Sequence, residues 1–255
     1  TEINDLLLSA LSLALPSVLN QRTNVITLEG HGREAIDSTS SETQLDISHT
    51  VGWFTTTYPV QLDVFESAKD SIVHTKEMLR AIPNKGIGFG AFSQKGQVTG
   101  AHPLISFNYL GQFDQGADES GDKTWQIVGE DSGQGVASAN VGELLLDING
   151  SVQDGVLRFN IGAQLPEAKA AIFSEALKTA LIKVIHTACS QGEQGVVATP
   201  SDFSTDISID HLRHLQSEYQ IQALYPATSL QQGFIYHHLS EPSDDAYRFQ
   251  VLIDY

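Results

Sequence analysis

Glu29-Gly30-His31-Gly32-Arg33-Glu34 is the densest run of chemistry-bearing side chains in this sequence. Read as a strand, it places Glu29, His31 and Arg33 on one face, because side chains alternate along extended backbone. Gly30 and Gly32 then fall on the other face, where a second backbone can approach closely. A carboxylate beside an imidazole and a guanidinium is an acid/base constellation. Basic neighbours hold the carboxylate charged, while burial lifts its pKa toward working pH. The bland alternative is a half-exposed strand with solvated charges. Asn108 and Tyr109 are adjacent on a second candidate strand, so one can face a cleft and the other the core. Either side chain can hydrogen-bond a carbonyl.

Other groups offer less. Gly86, Gly88 and Gly90 superficially imitate a phosphate-binding loop, but no hydrophobic strand precedes them and no Lys-Ser/Thr follows. A tight turn with close backbone packing is the better reading. His237 and His238 are neighbours on a helical stretch and so do not share a face, which argues against a metal. The single cysteine, Cys189, leaves neither a thiolate cluster for zinc nor an internal disulfide. Its apolar helical setting predicts a buried, inert thiol, and sparse cysteine predicts a reducing compartment, the cytoplasm. There is no serine nucleophile elbow.

The chain has 255 residues, with 14 Lys+Arg against 31 Asp+Glu and a net charge of −17. That charge repels nucleic-acid phosphate and anionic membranes alike. A hydrophobic share of 41% is enough for a core. No apolar run approaches the roughly 18 residues of a membrane span, and the N-terminus lacks the pattern of a signal peptide. Thr1 stands inside what already reads as structure, so the sequence is expected to be a piece of a longer protein.

The elements that must position these groups alternate in type. Residues 2–19 read as a helix with Leu6, Leu7, Ala10, Leu13 and Ala14 on one stripe, ended or kinked by Pro16. Strands are expected at 23–34, 53–60 and 104–110, and a helix at 65–81 with Ile72, Lys76 and Leu79 on one face. Residues 35–46, 83–90 and 114–138 read as loops. Residues 144–149 and 156–161 form a hairpin with Asp154-Gly155 in its connection. Residues 166–188 make the clearest helix, with Phe173, Leu177, Ala180, Leu181, Val184 and Ile185 as its buried stripe. After Cys189 the chain turns polar and aperiodic. A linker is expected over 191–219, including a short helix from about 209. A further helical stretch runs to Leu239, and a strand spans 247–255.

These pieces, in this order, resemble the epimerization domain of non-ribosomal peptide synthetases. Asp5-Leu6-Leu7-Leu8-Ser9-Ala10 resembles its DxLLxA motif, and Glu29 to Glu34 is identical to its EGHGRE motif. Thr50 to Pro59 resembles RTVGWFTxxYP, with His49 standing where the family has Arg. Pro83 to Gly90 resembles PxxGxGxG, and Phe107 to Gln112 matches FNYLGQ. Condensation domains share the fold but lack EGHGRE. The resemblance implies residues 1–190 as the C-terminal lobe of an epimerization domain. Residues 191–219 are then a linker. Tyr225 to Gly233 resembles the opening of a condensation domain occupying 220–255. The implied fold is α/β, a mixed sheet flanked by helices, one lobe of a chloramphenicol-acetyltransferase-like pseudo-dimer.

The implied reaction is L-to-D epimerization at the α-carbon of an aminoacyl or peptidyl thioester on a carrier's 4'-phosphopantetheine, with no metal. Glu29 is the implied base or acid. Arg33 and His31 position or tune it, and Asn108 or Tyr109 donates to the thioester oxygen. The family's HHxxxDG motif, which supplies a catalytic His, would lie before Thr1. Partners are then a peptidyl carrier domain, the N-terminal lobe and the downstream condensation domain. An apolar, association-prone face is expected where the lobes meet. The alternatives are a non-catalytic carrier-docking or interdomain module and, further off, a condensation-type acyltransferase.

Overall fold

A computed structural model describes residues 1–34, 46–47, 49–94, 96, 103–113, 133, 137, 140, 142–194, 197–241, 243, 247 and 250–253. The chain divides into two compact units, Thr1–Val196 and Val197–Tyr255.

The first unit is built on one five-stranded mixed sheet. Its strands are β1 (Thr23–Gly30), β2 (Thr56–Asp63), β3 (Ile105–Gln112), β4 (Leu146–Gln153) and β5 (Val156–Ala163), in the order β2-β1-β3-β4-β5. The central pairs β1–β3 and β3–β4 are parallel, and the outer pairs β1–β2 and β4–β5 are antiparallel. Helices α1 (Ile3–Ala14), α2 (Ala68–Arg80) and α4 (Glu167–Gln194) supply the apolar layer, and α3 (Phe89–Gln94) is short. Ile26, Leu28, Val60, Leu62, Ile105, Phe107, Leu146 and Ile148 point into one core with Leu8, Leu11, Leu15, Phe173 and Val184. The alternate residues of the same strands face away from these helices. Thr27, Glu29, Ser106, Asn108, Asp147 and Asn149 among them are polar, and the apolar Val25, Leu110 and, on β5, Val156 stand about half exposed.

The helix α1 is anchored at its start. Asp5 is fully buried and accepts from Glu2 N at 2.6 Å, and the Arg80 guanidinium grips it through both oxygens at 3.1 and 2.9 Å. Small side chains let α1 and α2 approach: Ser12 and Ser71 hydroxyls lie 2.8 Å apart, and Ser71 donates to Ser9 O. Pro16 closes α1 into a single 3-10 turn, Leu15–Ser17.

Several expectations change. β1 stops at Gly30 because Gly32 takes φ +66°, and a Cβ there would meet Phe54 O at 1.6 Å. Glu29, His31 and Arg33 accordingly do not share a strand face. β2 starts at Thr56 rather than 53, and Trp53 is 91% exposed. The turn at 83–86 carries Asn84 and Lys85 at positive φ, 45° and 48°, and α3 follows it. In α4 the buried stripe is Phe173, Leu177, Ala180 and Val184, with Leu181 partly buried, while Ile185 is half exposed. Cys189 is exposed, because it lies past Val184, the last buried residue among the described residues of α4. Residues 35–45 and 114–132 lie outside the described residues.

The second unit holds α5 (Ile209–Glu218) and α6 (Ser229–Ser240), each capped by the hydroxyl before it, Ser208 and Thr228. Leu212 is its buried apolar residue. The strand expected at 247–255 is not present among the described residues, where 250–253 are irregular and Val251, Leu252 and Ile253 exposed. A strand needs a hydrogen-bonding neighbour, and the described residues of this unit offer none.

Candidate functional site

The Thr27–Ser106 and Leu28–Phe107 pairs fix the register of β1 against β3 and set Glu29 beside Asn108. Asn108 Nδ2 donates to Glu29 Oε2 at 2.9 Å. The residues are 79 apart in sequence and meet because parallel strands are paired in this register. Glu29 is exposed and Asn108 half-buried, on the polar face of the sheet. The burial expected for Glu29 is not supplied by this unit.

Alternation sends Tyr109 the other way, and it packs against the hydrophobic core. Of the two candidate donors to a thioester oxygen, Asn108 alone lies on the face of Glu29. A bulge follows directly: Tyr109 opposes Gly150, Gln112 opposes Val152, and Gly111 takes φ +88°.

The rest of the first acidic motif folds into a separate knot. His31 Nδ1 accepts from Arg33 N at 3.0 Å, and His31 Nε2 lies 2.9 Å from Glu34 Oε1. A neutral ring with its proton on Nε2 satisfies both contacts. Glu34 Oε2 is also 3.3 Å from Lys85 Nζ. Tyr58 stands beside this pair, and its phenol is pushed above the ordinary value, first by burial and then by the Glu34 charge. Its ring lies against Gly86, where φ is +80° and a Cβ would meet the ring at 2.3 Å.

Arg33 points away from Glu29. Its guanidinium donates to Ile47 O at 2.5 Å and Thr50 O at 2.7 Å, and lies 4.1 Å from the Phe54 ring centroid. Its contacts hold Ile47, Thr50 and Phe54, correcting the expectation of a charge partner for Glu29. His31 likewise serves Glu34 rather than Glu29.

Reading the sequence missed the continuation of the Glu29–Asn108 pair across the sheet. Asn108 opposes Asn149, which opposes Asn160, and Thr57 opposes Glu29 on the other side. The signal was there in the hairpin: Asp147, Asn149 and Ser151, then Arg158 and Asn160, alternate with apolar residues.

The single mixed sheet with its helices matches the fold of condensation and epimerization domains. The chain belongs to the condensation-domain family, whose model matches residues 1–207. It is 36% identical over 269 residues to bacitracin synthase 3 of Bacillus licheniformis, covering 100% of this chain and 4% of that one. It is 37% identical over 229 residues to tyrocidine synthase 2 of Brevibacillus parabrevis, covering 84% of this chain and 6% of that one. The chain thus spans a small fraction of the curated relatives it matches. Among solved structures, the epimerization domain from the third module of tyrocidine synthetase B superposes with a TM-score of 0.62 at 36% identity. That match covers 73% of this chain and 42% of the other. The chain is a condensation-type domain of the non-ribosomal peptide synthetase class. Among the described residues no helix is long and apolar enough to cross a membrane.

Proposed function

We propose that this chain is the C-terminal lobe of an epimerase acting on the α-carbon of a carrier-bound aminoacyl or peptidyl thioester, with Glu29 as one of its two proton-transfer groups. The observation that carries the reading is the Asn108–Glu29 hydrogen bond on the sheet face opposite α1, α2 and α4. The likeness to the tyrocidine epimerization domain supports it over a condensation-type acyltransferase.

The thioester makes the reaction feasible. As a base takes the α-proton, the C–H bond breaks and its electron pair spreads onto the thioester oxygen. Reprotonation from the opposite face by a second group inverts the centre. Glu29 serves one face of that carbon; the resemblance puts the other group, a histidine, on the N-terminal lobe. A lobe covering this face takes the carboxylate out of water, where it becomes a stronger base. Asn108 fixes one oxygen of Glu29 and leaves the other for the proton. Its second amide N–H is the donor this reading assigns to the developing enolate oxygen. Lys85, Glu34 and Tyr58 serve as the rigid support behind the motif. The phosphopantetheine arm belongs to the substrate and comes from a peptidyl carrier domain. A downstream condensation domain begins in the second unit.

The test is α-proton washout in D₂O from an L-aminoacyl carrier, with the full-length protein and its Glu29→Gln variant. Exchange in the first and its loss in the second, with folding intact, supports the assignment. Carrier binding without exchange in the wild type would leave the non-catalytic docking module.

A further inference from the structure

Glu29 stands where β1 is weakly held. The ladder between β1 and β3 covers Thr27 and Leu28 and stops one residue short of it. On the other side Glu29 pairs with Thr57, and Gly30, the last residue of β1, pairs with Thr56. Strand pairing therefore secures this end from one side. The next three residues add little of their own, because Gly30 and Gly32 flank His31 and have no side chains to pack. A distant segment supplies the hold. Lys85 O lies 3.9 Å from the place a Gly30 Cβ would take, so the 83–86 turn packs against the residue that follows Glu29. From that turn Lys85 Nζ comes to 3.3 Å from Glu34 Oε2, while Glu34 Oε1 meets His31 Nε2 at 2.9 Å. His31 Nδ1 in turn accepts from Arg33 N. The chain between Gly30 and Glu34 is thus tied at its start, its middle and its end.

The turn keeps an unfavourable backbone to make these contacts. Asn84, Lys85 and Gly86 take φ of 45°, 48° and 80° in succession. Glycine enters that region freely and asparagine tolerates it, but lysine does so at a cost. The ion pair returns little stability, since the Lys85 side chain is 64% exposed. Strain kept without a matching gain in stability points to a position held for what it orients. Resting on the epimerase reading above, we infer that Lys85 is a positioning residue for Glu29: through Glu34 and His31 it holds the turn that ends β1, and so keeps the carboxylate against Asn108. Glu34 is the shared element, with one oxygen for each partner. Lys85 itself touches no reacting atom.

The experiment compares the full-length wild type with Lys85→Asn, Lys85→Gly and Lys85→Arg. Asparagine and glycine both accept the left-handed backbone, so neither should unfold the turn, and neither reaches Glu34. In α-proton exchange from an aminoacyl carrier, both should lower kcat roughly ten- to hundredfold with KM unchanged, the effect of a slightly misplaced reacting group. Lys85→Arg keeps a cation on a long stem and should recover most of the rate. In Lys85→Asn/Glu34→Gln the losses should fall short of multiplying, because Lys85 acts through Glu34. Amide hydrogen exchange read by mass spectrometry should quicken over residues 30–34 in Lys85→Asn and Lys85→Gly, with protection of β3 and β4 unchanged. An unaltered kcat in both variants overturns the assignment. So does a loss of rate that accompanies lost protection across β3 and β4, since that is the mark of a merely structural lysine. If the wild type exchanges no α-proton, the epimerase reading falls on its own. The amides of residues 30–34 then decide the hold: faster exchange in Lys85→Asn keeps it, and equal exchange removes it.

Discussion

Asn108 reaches across from β3 to donate to Glu29 Oε2 at 2.9 Å, and the two side chains share the face of the sheet opposite α1, α2 and α4. The amide orients the carboxylate and cannot itself take a proton. Glu29→Gln is therefore expected to cut exchange by about 10²–10⁴-fold, the usual worth of a positioned acid or base. Its exposed position should leave the unfolding midpoint unchanged. Asn108→Asp should behave differently. A second carboxylate at hydrogen-bonding distance disfavours the charged form of both. The rising limb of the pH–rate profile should then move to higher pH, measured by exchange rates between pH 5 and pH 9.

Arg33 has its own signature. Two hydrogen bonds to backbone carbonyls and a ring contact tie it to residues 47, 50 and 54. Arg33→Ala should cost about 1–3 kcal/mol in denaturant unfolding. It should also speed hydrogen exchange at the amides of residues 49–54. Arg33→Lys should rescue little, because one ammonium cannot reproduce the flat fork. Equal exchange protection in Arg33→Ala would show that the segment holds itself.

The fold class was legible because its signals are local. The apolar stripes of α1 and α4 repeat at helical spacing, and the hairpin of β4 and β5 announces itself through Asp154-Gly155, both at positive φ. The identity of the Glu29 motif was legible as a string of letters. Its geometry was not. Period-two alternation continues through residue 34, and only the Phe54 carbonyl packed against Gly32 reveals that the strand has already ended. The partnership of Glu29 with Asn108, and the amide row beyond it, depend on register between strands distant in sequence. No local pattern encodes that.

Gly86 is the point where the turn before α3 meets the sheet. Its φ of +80° disfavours any side chain, and a Cβ would sit 2.3 Å from the Tyr58 ring. Gly86→Ala should destabilise by about 2–4 kcal/mol, combining left-handed strain with overpacking. The double variant Gly86→Ala/Tyr58→Ala should recover part of the overpacking share and none of the strain. Additive losses in the double-mutant cycle would mean the ring moves aside freely.

The Asp5–Arg80 pair should be costly to break from the arginine side. Asp5 is fully buried, and besides Arg80 it accepts from Glu2 N. Arg80→Ala leaves a buried carboxylate short of partners, for about 2–4 kcal/mol in chemical denaturation. Replacing both, Asp5→Leu with Arg80→Met, should cost less than Arg80→Ala alone, since no charge remains to be buried.

Tyr58 links the same region to alkaline pH. Burial and the Glu34 charge raise its phenol above the ordinary value of 10.0. A raised acid means the folded protein holds the proton more tightly than the unfolded chain. Below pH 10 both states are protonated and stability does not depend on this group. Above it the unfolded chain ionises first, so stability falls as pH rises toward the folded value. Thermal midpoints measured from pH 8 to pH 11 should decline in the wild type over the upper part of that range. Tyr58→Phe keeps the ring against Gly86 and removes the proton, so its decline should be shallower. Glu34→Gln should shift the onset only slightly, because burial is the larger cause. Parallel declines in the wild type and Tyr58→Phe would assign the alkaline loss to other groups.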